Sequence, residues 1–500
     1  MDPVKKTPDT DARWKVQWKA EGKGLALLAA AIVFFTAGLG RIDLWAPDEP
    51  RYAAIAEELR SGRHGPGGLV LLHLNDEPYS QKPPLYFWLA AAAGFVSGRV
   101  DEVAARLPSA LAGVACVMGT VWIAALARMN RASGWLAAAL LATSFRFAFS
   151  ARRAQLDVLL CSFELLAIAL FLLLETRRGG IEKARDHPGL IAGLHAALGA
   201  AALVKGPVGW LPLLVFAVYL AWEGRLAGFR RLVPLWSWLL SIAPLALWIA
   251  AATALAPDGF ARDAVGTNVF ARFFAGTSHA RPFYYYAYQL PLDFVPWTLL
   301  LPSAAVAVWR STRAVPDAAR ASEPLQDGVA AGSFARFLLS WILVPLVFFS
   351  LSAGKRGLYL LPIFPALALA IVFGLALARG PEQLDPVPRR RRALVGAAAA
   401  VAILELAGAY FLLPRLDPEK SPRPIARAIA AHTAPNEVVG LFALRPLEGA
   451  IPYYGARRIR SISSESQAVR FVTNEGHLIL MRAGELHRLC LLYTSDAADE

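Results

Sequence analysis

About eleven apolar runs, each near the length of a membrane span, divide this chain of 500 residues. A helix needs roughly 20 apolar residues to cross the hydrocarbon core of a bilayer. Apolar residues make up 56% and charged residues 18% of the chain, whereas soluble domains carry about 25% charge. The sequence therefore predicts an all-α polytopic membrane protein with about eleven or more transmembrane helices. The predicted spans are 25–40, 103–127, 135–150, 158–175, 190–204, 208–222, 234–256, 290–309, 334–352, 358–378 and 393–413.

The net charge of +13 is concentrated in short loops between these runs. Cytoplasmic loops of membrane proteins are enriched in Lys and Arg. If residues 1–24 form a cytoplasmic segment followed by an uncleaved first span, nearly every basic cluster falls on the cytoplasmic side. The clusters begin at Arg128, Arg177, Arg225, Arg310 and Arg379. Topology thus accounts for the basic charge, and no aromatic-interleaved basic face indicates a nucleic-acid partner.

The segments left on the outer side hold most of the unusual charges. They are 41–102, 151–157, 205–206, 257–289, 353–357 and the tail after 414. Charged groups at membrane depth are costly and tend to be functional. Their placement on one side predicts a single outward-facing site. These charged residues are Asp48, Glu49, Arg51, Lys82, Asp157, Lys205 and Lys355.

The first outer loop, 41–102, carries the strongest candidates for chemistry. Asp48 follows a proline at the start of a predicted short helix, and its carboxylate could accept a proton from an acceptor hydroxyl. An ordinary acid at a helix start is the alternative. Arg51 and Lys82, together with Lys205 and Lys355, would clamp a phosphate. The alternative for each cation is contact with lipid headgroups by a snorkelling side chain.

The outer loop 257–289 and the tail add less specific signals. Asn268, Arg272 and His279 lie in that loop, and a lone histidine is a weak metal signal. No phosphate-binding loop or dinucleotide fingerprint occurs, which disfavours a nucleotide as a direct donor on the outer face. If the site transfers a sugar, the donor would need to be in the membrane already, such as a polyprenyl-phosphate sugar. The tail 414–489 predicts a small α/β outer domain with strands at 438–443 and 478–481 and a helix at 423–432. We expect this domain to be truncated and 490–500 to be a non-native tail.

Several motifs, in order over residues 25–413, resemble the bacterial lipid A aminoarabinose transferases. These are GT-C glycosyltransferases related to the protein O-mannosyltransferases. The first outer loop carries Trp45-x-Pro47-Asp48-Glu49-x-Arg51-Tyr52 and Tyr79-x-x-Lys82-Pro83-Pro84-Leu85-Tyr86-x-Trp88. The later motifs are Gln155-Leu156-Asp157, Lys205-Gly206, His279-Ala280-Arg281-Pro282-Phe283-Tyr284-Tyr285 and Phe349-Ser350-x-Ser352-x-x-Lys355-x-x-x-Tyr359-x-x-Pro362.

The resemblance implies an inner-membrane enzyme with a periplasmic active site, an undecaprenyl-phosphate sugar donor and inversion at the anomeric carbon. It implies that Asp48 is the general base. The donor phosphate would be held by Arg51, Lys82, Lys205 and Tyr359. The secondary cavity residues would be Glu49, Tyr52, Tyr79, Asp157, Arg272, His279 and Lys355.

The resemblance also raises the question of a metal ion. Relatives often have a glutamate before Lys-Pro-Pro that binds a metal together with a histidine of the later loop. This chain has Gln81 and, in a loose alignment, Asn268 at those positions, so we predict no metal ligands there, with a divalent metal ion as the alternative. The acceptor is expected to be lipid A or another periplasmic molecule. A protein O-glycosyltransferase is the alternative enzyme, and a lipid-sugar flippase is the alternative from another class, although no internal repeat supports a transporter.

Overall fold

The structure is a computed structural model that describes residues 22–264, 266, 280–313, 331–377, 387–474 and 478–486. Two predicted site residues, Arg272 and His279, lie outside the described residues, as does Asn268 at the changed metal-ligand position. The fold is mainly helical.

The helices of the first half are α1 Gly22–Thr36, α2 Asp48–Arg60, α3 Leu85–Ser97, α4 Glu102–Leu126, α5 Arg131–Ala142, α6 Phe145–Ala151, α7 Leu156–Arg177, α8 Pro188–Lys205, α9 Leu211–Trp222, α10 Phe229–Leu232, α11 Trp238–Ser241 and α12 Ala243–Leu255. The later helices are α13 Tyr285–Asp293, α14 Leu301–Thr312, α15 Ala331–Leu351, α16 Phe364–Leu377, α17 Pro388–Ala407, α18 Leu413–Lys420, α19 Arg423–His432, α20 Ala450–Gly455 and α21 Glu465–Asn474. The strands are β1 His73–Leu74, β2 Glu77–Pro78, β3 Val438–Phe442, β4 Arg458–Ile462 and β5 Ile479–Leu480.

Within the described residues, 6 helices are long and apolar enough to cross a membrane, or up to 9 if each bent pair is one span. The multi-pass prediction is therefore confirmed, but the count of eleven is not. Three predicted straight spans are bent, by 74°, 53° and 112°. They are 135–150, 234–256 and 290–309. In the first, Thr143 and Ser144 turn their hydroxyls onto helix carbonyls, which bends helices. In the third, Pro291 and Pro296 interrupt the backbone hydrogen bonding.

The apolar stretch Pro188–Trp222 reverses direction instead of running straight. Gly206 has a φ of +76°, in the left-handed region that glycine adopts most readily. A Cβ on Gly209 would lie 2.4 Å from the backbone of Ala201. Such close approach of residues eight positions apart requires the chain to fold back, since one straight helix would separate them by about 12 Å. This agrees with the two separate runs predicted from the sequence.

The loops gather at two ends of the bundle. At one end Arg225 pairs with Glu175 and Glu182, and Arg336 pairs with Glu223 at 2.5 Å. Glu182, Glu223 and Arg225 come from loops predicted to be cytoplasmic, and Glu175 and Arg336 lie at the adjoining ends of two predicted spans. At the other end the first outer loop meets the segment 353–357 and the tail. The two groups of contacts lie at opposite ends of α7, since Asp157 lies in the first turn of that helix and Glu175 in its last turn; which side of the membrane each end faces stays a prediction.

The tail forms a small parallel sheet of order β4-β3-β5. Strands lie within both predicted segments, and α19 is the predicted helix. Strand β4 was missed because Arg458, Arg460 and Ser461 interrupt its apolar residues. A core of Ile429, Val439, Leu441, Ile451 and Ile459 holds the unit together.

This C-terminal unit docks on the first outer loop. The Asn75 side chain exchanges two hydrogen bonds with the backbone of Ile459, at 2.7 and 2.8 Å. Tyr454 accepts from the Leu44 amide at 2.7 Å. Gly449 approaches Arg51 so closely that a Cβ would lie 2.2 Å from its Cα. The loop therefore lies between the membrane helices and the tail.

Candidate active site

Asp48 begins helix α2 and points toward a cluster of cations. Its Oδ2 accepts a hydrogen bond from Arg356 at 3.0 Å, and its Oδ1 lies 3.7 Å from Arg51. Burial favours the neutral carboxyl, but the charges of Arg356, Arg51 and Lys82 outweigh it and hold the pKa of Asp48 below its ordinary value. Asp48 is therefore an ionised carboxylate at neutral pH, as a proton acceptor must be.

A cavity of about 280 Å³ opens beside Asp48. Arg153 is fixed on its wall, because its guanidinium lies 4.7 Å from the Trp45 ring and 5.0 Å from the Phe149 ring. Of the predicted site residues that the structure describes, Asp48 alone lines this cavity. Its lining comprises Trp45, Ala46, Pro47, Asp48, Arg146, Phe149, Ser150, Arg153, Gln155, Arg356, Leu358 and Lys420.

Glu49 does not line the cavity, contrary to the prediction from resemblance. It is 1% exposed and accepts from Arg106 at 2.8 Å and from Arg153 at 2.5 Å. Burial raises the pKa of Glu49, but the charges of Arg106 and Arg153 have the larger combined effect and lower it to about 2. The helical period turns Glu49 away from Asp48 and into the protein interior, so its role is to hold loops together.

Arg106 is the counterpart of Glu49 and was missed in the sequence because it lies within a predicted span. It is 1% exposed. Besides Glu49 it donates to the carbonyls of Leu39, Ile42 and Asp43. A buried guanidinium with every contact satisfied is a structural anchor, and this one fastens helix α4 to the segment that leads into Asp48.

Arg51 and two tyrosines of the first outer loop, Tyr52 and Tyr79, lie near Asp48. Tyr52 and Tyr79 are 5% and 4% exposed, and both contact the Phe87 ring edge-to-face. Burial opposes the charge of Arg51, but the neighbouring Tyr79 and Asp48 raise its pKa. The loop thus keeps Arg51 cationic beside Asp48, whereas Tyr52 and Tyr79 pack in the interior and do not line the cavity.

Lys205 pairs with Asp157, and its ammonium also lies 4.4 Å from the centre of the Tyr359 ring. The sequence assigned Lys205 and Tyr359 to a donor phosphate and Asp157 to the cavity wall. The structure brings these residues together, but the Lys205 ammonium is paired with the Asp157 carboxylate. Asp157 also raises the pKa of Arg356, which connects this group to the Asp48 site.

Lys355 is turned away from the cavity, which corrects its predicted place. It is 4% exposed, and its ammonium donates to the carbonyls of Arg281 and Ser352. Together with the bridge between Ala280 and Gly354 it ties two loops. The cation that reaches Asp48 is the next residue, Arg356, and the adjacent basic pair was the sequence signal that could have identified it.

The prediction that the metal ligands are changed rests on Gln81 and on Asn268, which lies outside the described residues. Gln81 offers an amide oxygen where a carboxylate would be needed. A separate group, Glu58, His64 and Asp76, places one ligand atom of each within 4.8 Å. These atoms are already engaged, since Glu58 accepts from His64 and the Asn75 amide and Asp76 pairs with Arg458 at 2.7 Å. They hold the β1–β2 turn against the tail.

A family model described as dolichyl-phosphate-mannose-protein mannosyltransferase matches residues 23–262. The solved structure of ArnT from Cupriavidus metallidurans bound to undecaprenyl phosphate aligns with a TM-score of 0.69 at 22% identity, covering 92% of this chain and 90% of that one. The chain therefore has the polytopic fold of these membrane transferases.

Sequence relatives narrow the class to a family. An undecaprenyl phosphate-alpha-4-amino-4-deoxy-L-arabinose arabinosyl transferase of Pseudomonas savastanoi pv. phaseolicola is 30% identical over 87% of this chain and 76% of its own length. Arabinosyl transferase 2 of Pseudomonas fluorescens is 31% identical over 76% of this chain. The chain belongs to the family of bacterial undecaprenyl phosphate-aminoarabinose arabinosyl transferases. It spans 60% of the Pseudomonas fluorescens relative and 65% of that from Pseudomonas paraeruginosa.

Proposed function

We propose that this protein is a membrane glycosyltransferase that moves a sugar from undecaprenyl phosphate to a periplasmic acceptor, with inversion. The observation that carries the proposal is Asp48, an ionised carboxylate on the wall of a cationic cavity. The family membership supports the donor, since the relatives are named for an undecaprenyl phosphate sugar and one solved relative is bound to undecaprenyl phosphate.

In the proposed reaction the acceptor oxygen attacks the anomeric carbon from the face opposite the donor phosphate. The bond between that carbon and the phosphate oxygen breaks, and the phosphate leaves with the electron pair. Any proton on the acceptor oxygen passes to Asp48. Arg51, with Lys82, Lys205 and Tyr359, stabilises the charge on the leaving phosphate. Because Gln81 replaces the carboxylate ligand of the relatives, the proposed transfer uses no metal ion.

The environment of Asp48 favours a phosphate oxygen as the acceptor. A carboxylate whose pKa is lowered is a weak base, which suits a phosphate monoester, with a second pKa near 6, better than an alcohol. The cations around Asp48 also attract an anionic acceptor. A phosphorylated lipid such as lipid A is therefore the leading acceptor. A protein hydroxyl remains the second candidate, because the matching family model describes protein mannosyltransferases.

We place the site on the periplasmic face of the bacterial inner membrane, with the N-terminus in the cytoplasm. The basic loops that begin at Arg177 and Arg225 lie at the end of α7 opposite to Asp157, and the positive-inside rule assigns that end to the cytoplasm. Carrier lipid and acceptor would then both reach the site from the outer leaflet.

The test of the chemistry is Asp48→Asn in the full chain, measured as transfer from an undecaprenyl-phosphate sugar. We expect kcat to fall at least about 100-fold, as loss of a general base does. The exposed Glu77→Gln on the same loop is the matched control and should keep its activity. Retention of activity in a folded Asp48→Asn protein would exclude Asp48 as the base.

Mass spectrometry identifies the acceptor. Lipid A and periplasmic proteins from cells with and without the protein should differ by one sugar on a lipid A phosphate. A sugar found on periplasmic proteins alone would support the protein O-glycosyltransferase instead.

A further inference from the structure

Helix α18, which precedes the C-terminal sheet, contributes to the cavity. Its Asp417 accepts from the indole N–H of Trp45 at 2.7 Å and from the amide of Asp43 at 3.2 Å. Trp45 lies on the cavity wall, three residues before Asp48 in the sequence. These bonds fix the position of α18 relative to the base, and α18 ends at Lys420, which also lines the cavity.

Lys420 differs from the other cations of the lining. Arg153 pairs with Glu49, Arg146 with Asp293 at 2.7 Å, and Arg356 with Asp48 at 3.0 Å. In the part of the chain that the structure describes, the Lys420 ammonium forms no ion pair or hydrogen bond. Its side chain is exposed, so its ammonium is available to a ligand that enters the cavity.

The surrounding charges are also unbalanced. Glu49 is shared by Arg106 and Arg153, and Asp48 is shared by Arg51 and Arg356. Each carboxylate thus faces an excess of positive charge before Lys420 is counted. A partly enclosed cavity with excess positive charge concentrates anions.

We infer that Lys420 and the cavity-facing guanidiniums of Arg146 and Arg356 form a subsite for the acceptor's phosphate, separate from the residues proposed for the donor. This inference rests on the proposed function. The donor residues Arg51, Lys82, Lys205 and Tyr359 do not line the cavity. At about 280 Å³ the cavity is at the lower end of ligand pockets and admits a phosphorylated headgroup, with the acyl chains outside.

The subsite is tested by Lys420→Gln with a phosphorylated lipid acceptor. One charged contact to phosphate corresponds to about a tenfold change in affinity. We expect the acceptor KM to rise about tenfold, the kcat to change less than about twofold and the donor KM to stay constant. Lys420→Arg should restore the acceptor KM. The control is Arg415→Gln, which removes an exposed cation from the same helix outside the cavity lining.

Acceptor binding is also measured without donor, as the Kd of purified full-length protein for the phosphorylated lipid and for its dephosphorylated form. If the protein binds the phosphorylated lipid more tightly than the dephosphorylated form, and Lys420→Gln removes this difference in Kd, the subsite is supported. If the protein shows this binding preference but transfers no sugar, the subsite stands and only the proposed function fails. Active Lys420→Gln protein with an unchanged acceptor KM and Kd overturns the subsite while the proposed function stands. A rise in the donor KM in place of the acceptor KM also overturns it.

Discussion

At the scale of single residues, two adjacent carboxylates have opposite environments. Asp48 faces a cavity, whereas Glu49 is enclosed by Arg106 and Arg153. Because the folded pKa of Glu49 is about 2, below its unfolded value, its contribution to stability is present above the unfolded pKa and is lost as the pH falls toward 2. Asp48 is the proposed base, and Glu49 stabilises the loop that presents it.

Arg356 is expected to set the lower pH limit of activity. Burial raises the pKa of Asp48, and the charge of Arg356 lowers it. Removing that charge therefore raises the pKa of Asp48. We predict that Arg356→Gln moves the acid limb of the kcat/KM profile to higher pH, because the base is then protonated earlier as the pH falls. The measurement is a pH series of transfer rates, with Arg415→Gln as the control. An unmoved acid limb would show that Arg356 does not control the ionisation of Asp48.

At the scale of elements, the reversal between α8 and α9 positions Lys205 at the site. Gly206 supplies the left-handed backbone, and Gly209 allows the returning chain to lie against Ala201. Lys205 therefore ends α8 at the level of Asp157, the first-turn acid of α7. The ion pair between them links two neighbouring membrane helices.

Gly209→Ala tests this reversal. The added Cβ would lie 2.4 Å from backbone atoms of Ala201, and overpacking of this kind typically costs about 1–3 kcal/mol. We predict a lower melting temperature in detergent together with reduced transfer activity. Gly189→Ala in the same stretch has no atom within 4 Å of its new Cβ and should melt like the unmodified protein. Equal melting of the two variants would contradict the tight reversal.

At the scale of the whole molecule, the C-terminal unit and the membrane helices share the catalytic loop. Arg423 on α19 pairs with Asp43 at 2.9 Å, and Tyr453 on α20 donates to the Val100 carbonyl at 2.7 Å. These contacts join segments more than 300 residues apart, at both ends of the first outer loop. The tail therefore helps to build the site.

Gly449→Ala tests whether docking of the C-terminal unit on the first outer loop is needed for activity. Its Cβ would lie 2.2 Å from the Cα of Arg51, so the tail or the loop must shift. We predict a fall in kcat/KM of roughly tenfold, the effect of a misplacement near 1 Å or less in a catalytic group, and faster proteolysis of the tail. Gly484→Ala, with no atom within 4 Å of the new Cβ, is the control. Unchanged activity and proteolysis in Gly449→Ala would show that the docking is not needed.

The sequence by itself determined the membrane class and the C-terminal α/β unit. The alternation of sides and the role of Asp48 as a base stay predictions. Apolar length, basic loop charge and strand composition are local properties, and each can be read within a window of some 20 residues. The bends at Ser144 and Pro296 were less accessible, since an apolar run has the same composition whether the helix is straight or bent.

Only the tertiary structure decided which charges meet. Arg356 reaches Asp48, and Lys420 reaches the same cavity, from distant segments. Nothing in their local sequence distinguishes them from Lys355, which is bound to backbone carbonyls instead. Adjacent residues point to different sides of a backbone, so a shift of one position exchanges a ligand-facing cation for a structural one. Packing of the whole chain therefore selected the residues of the cavity from the many charges on the outer side.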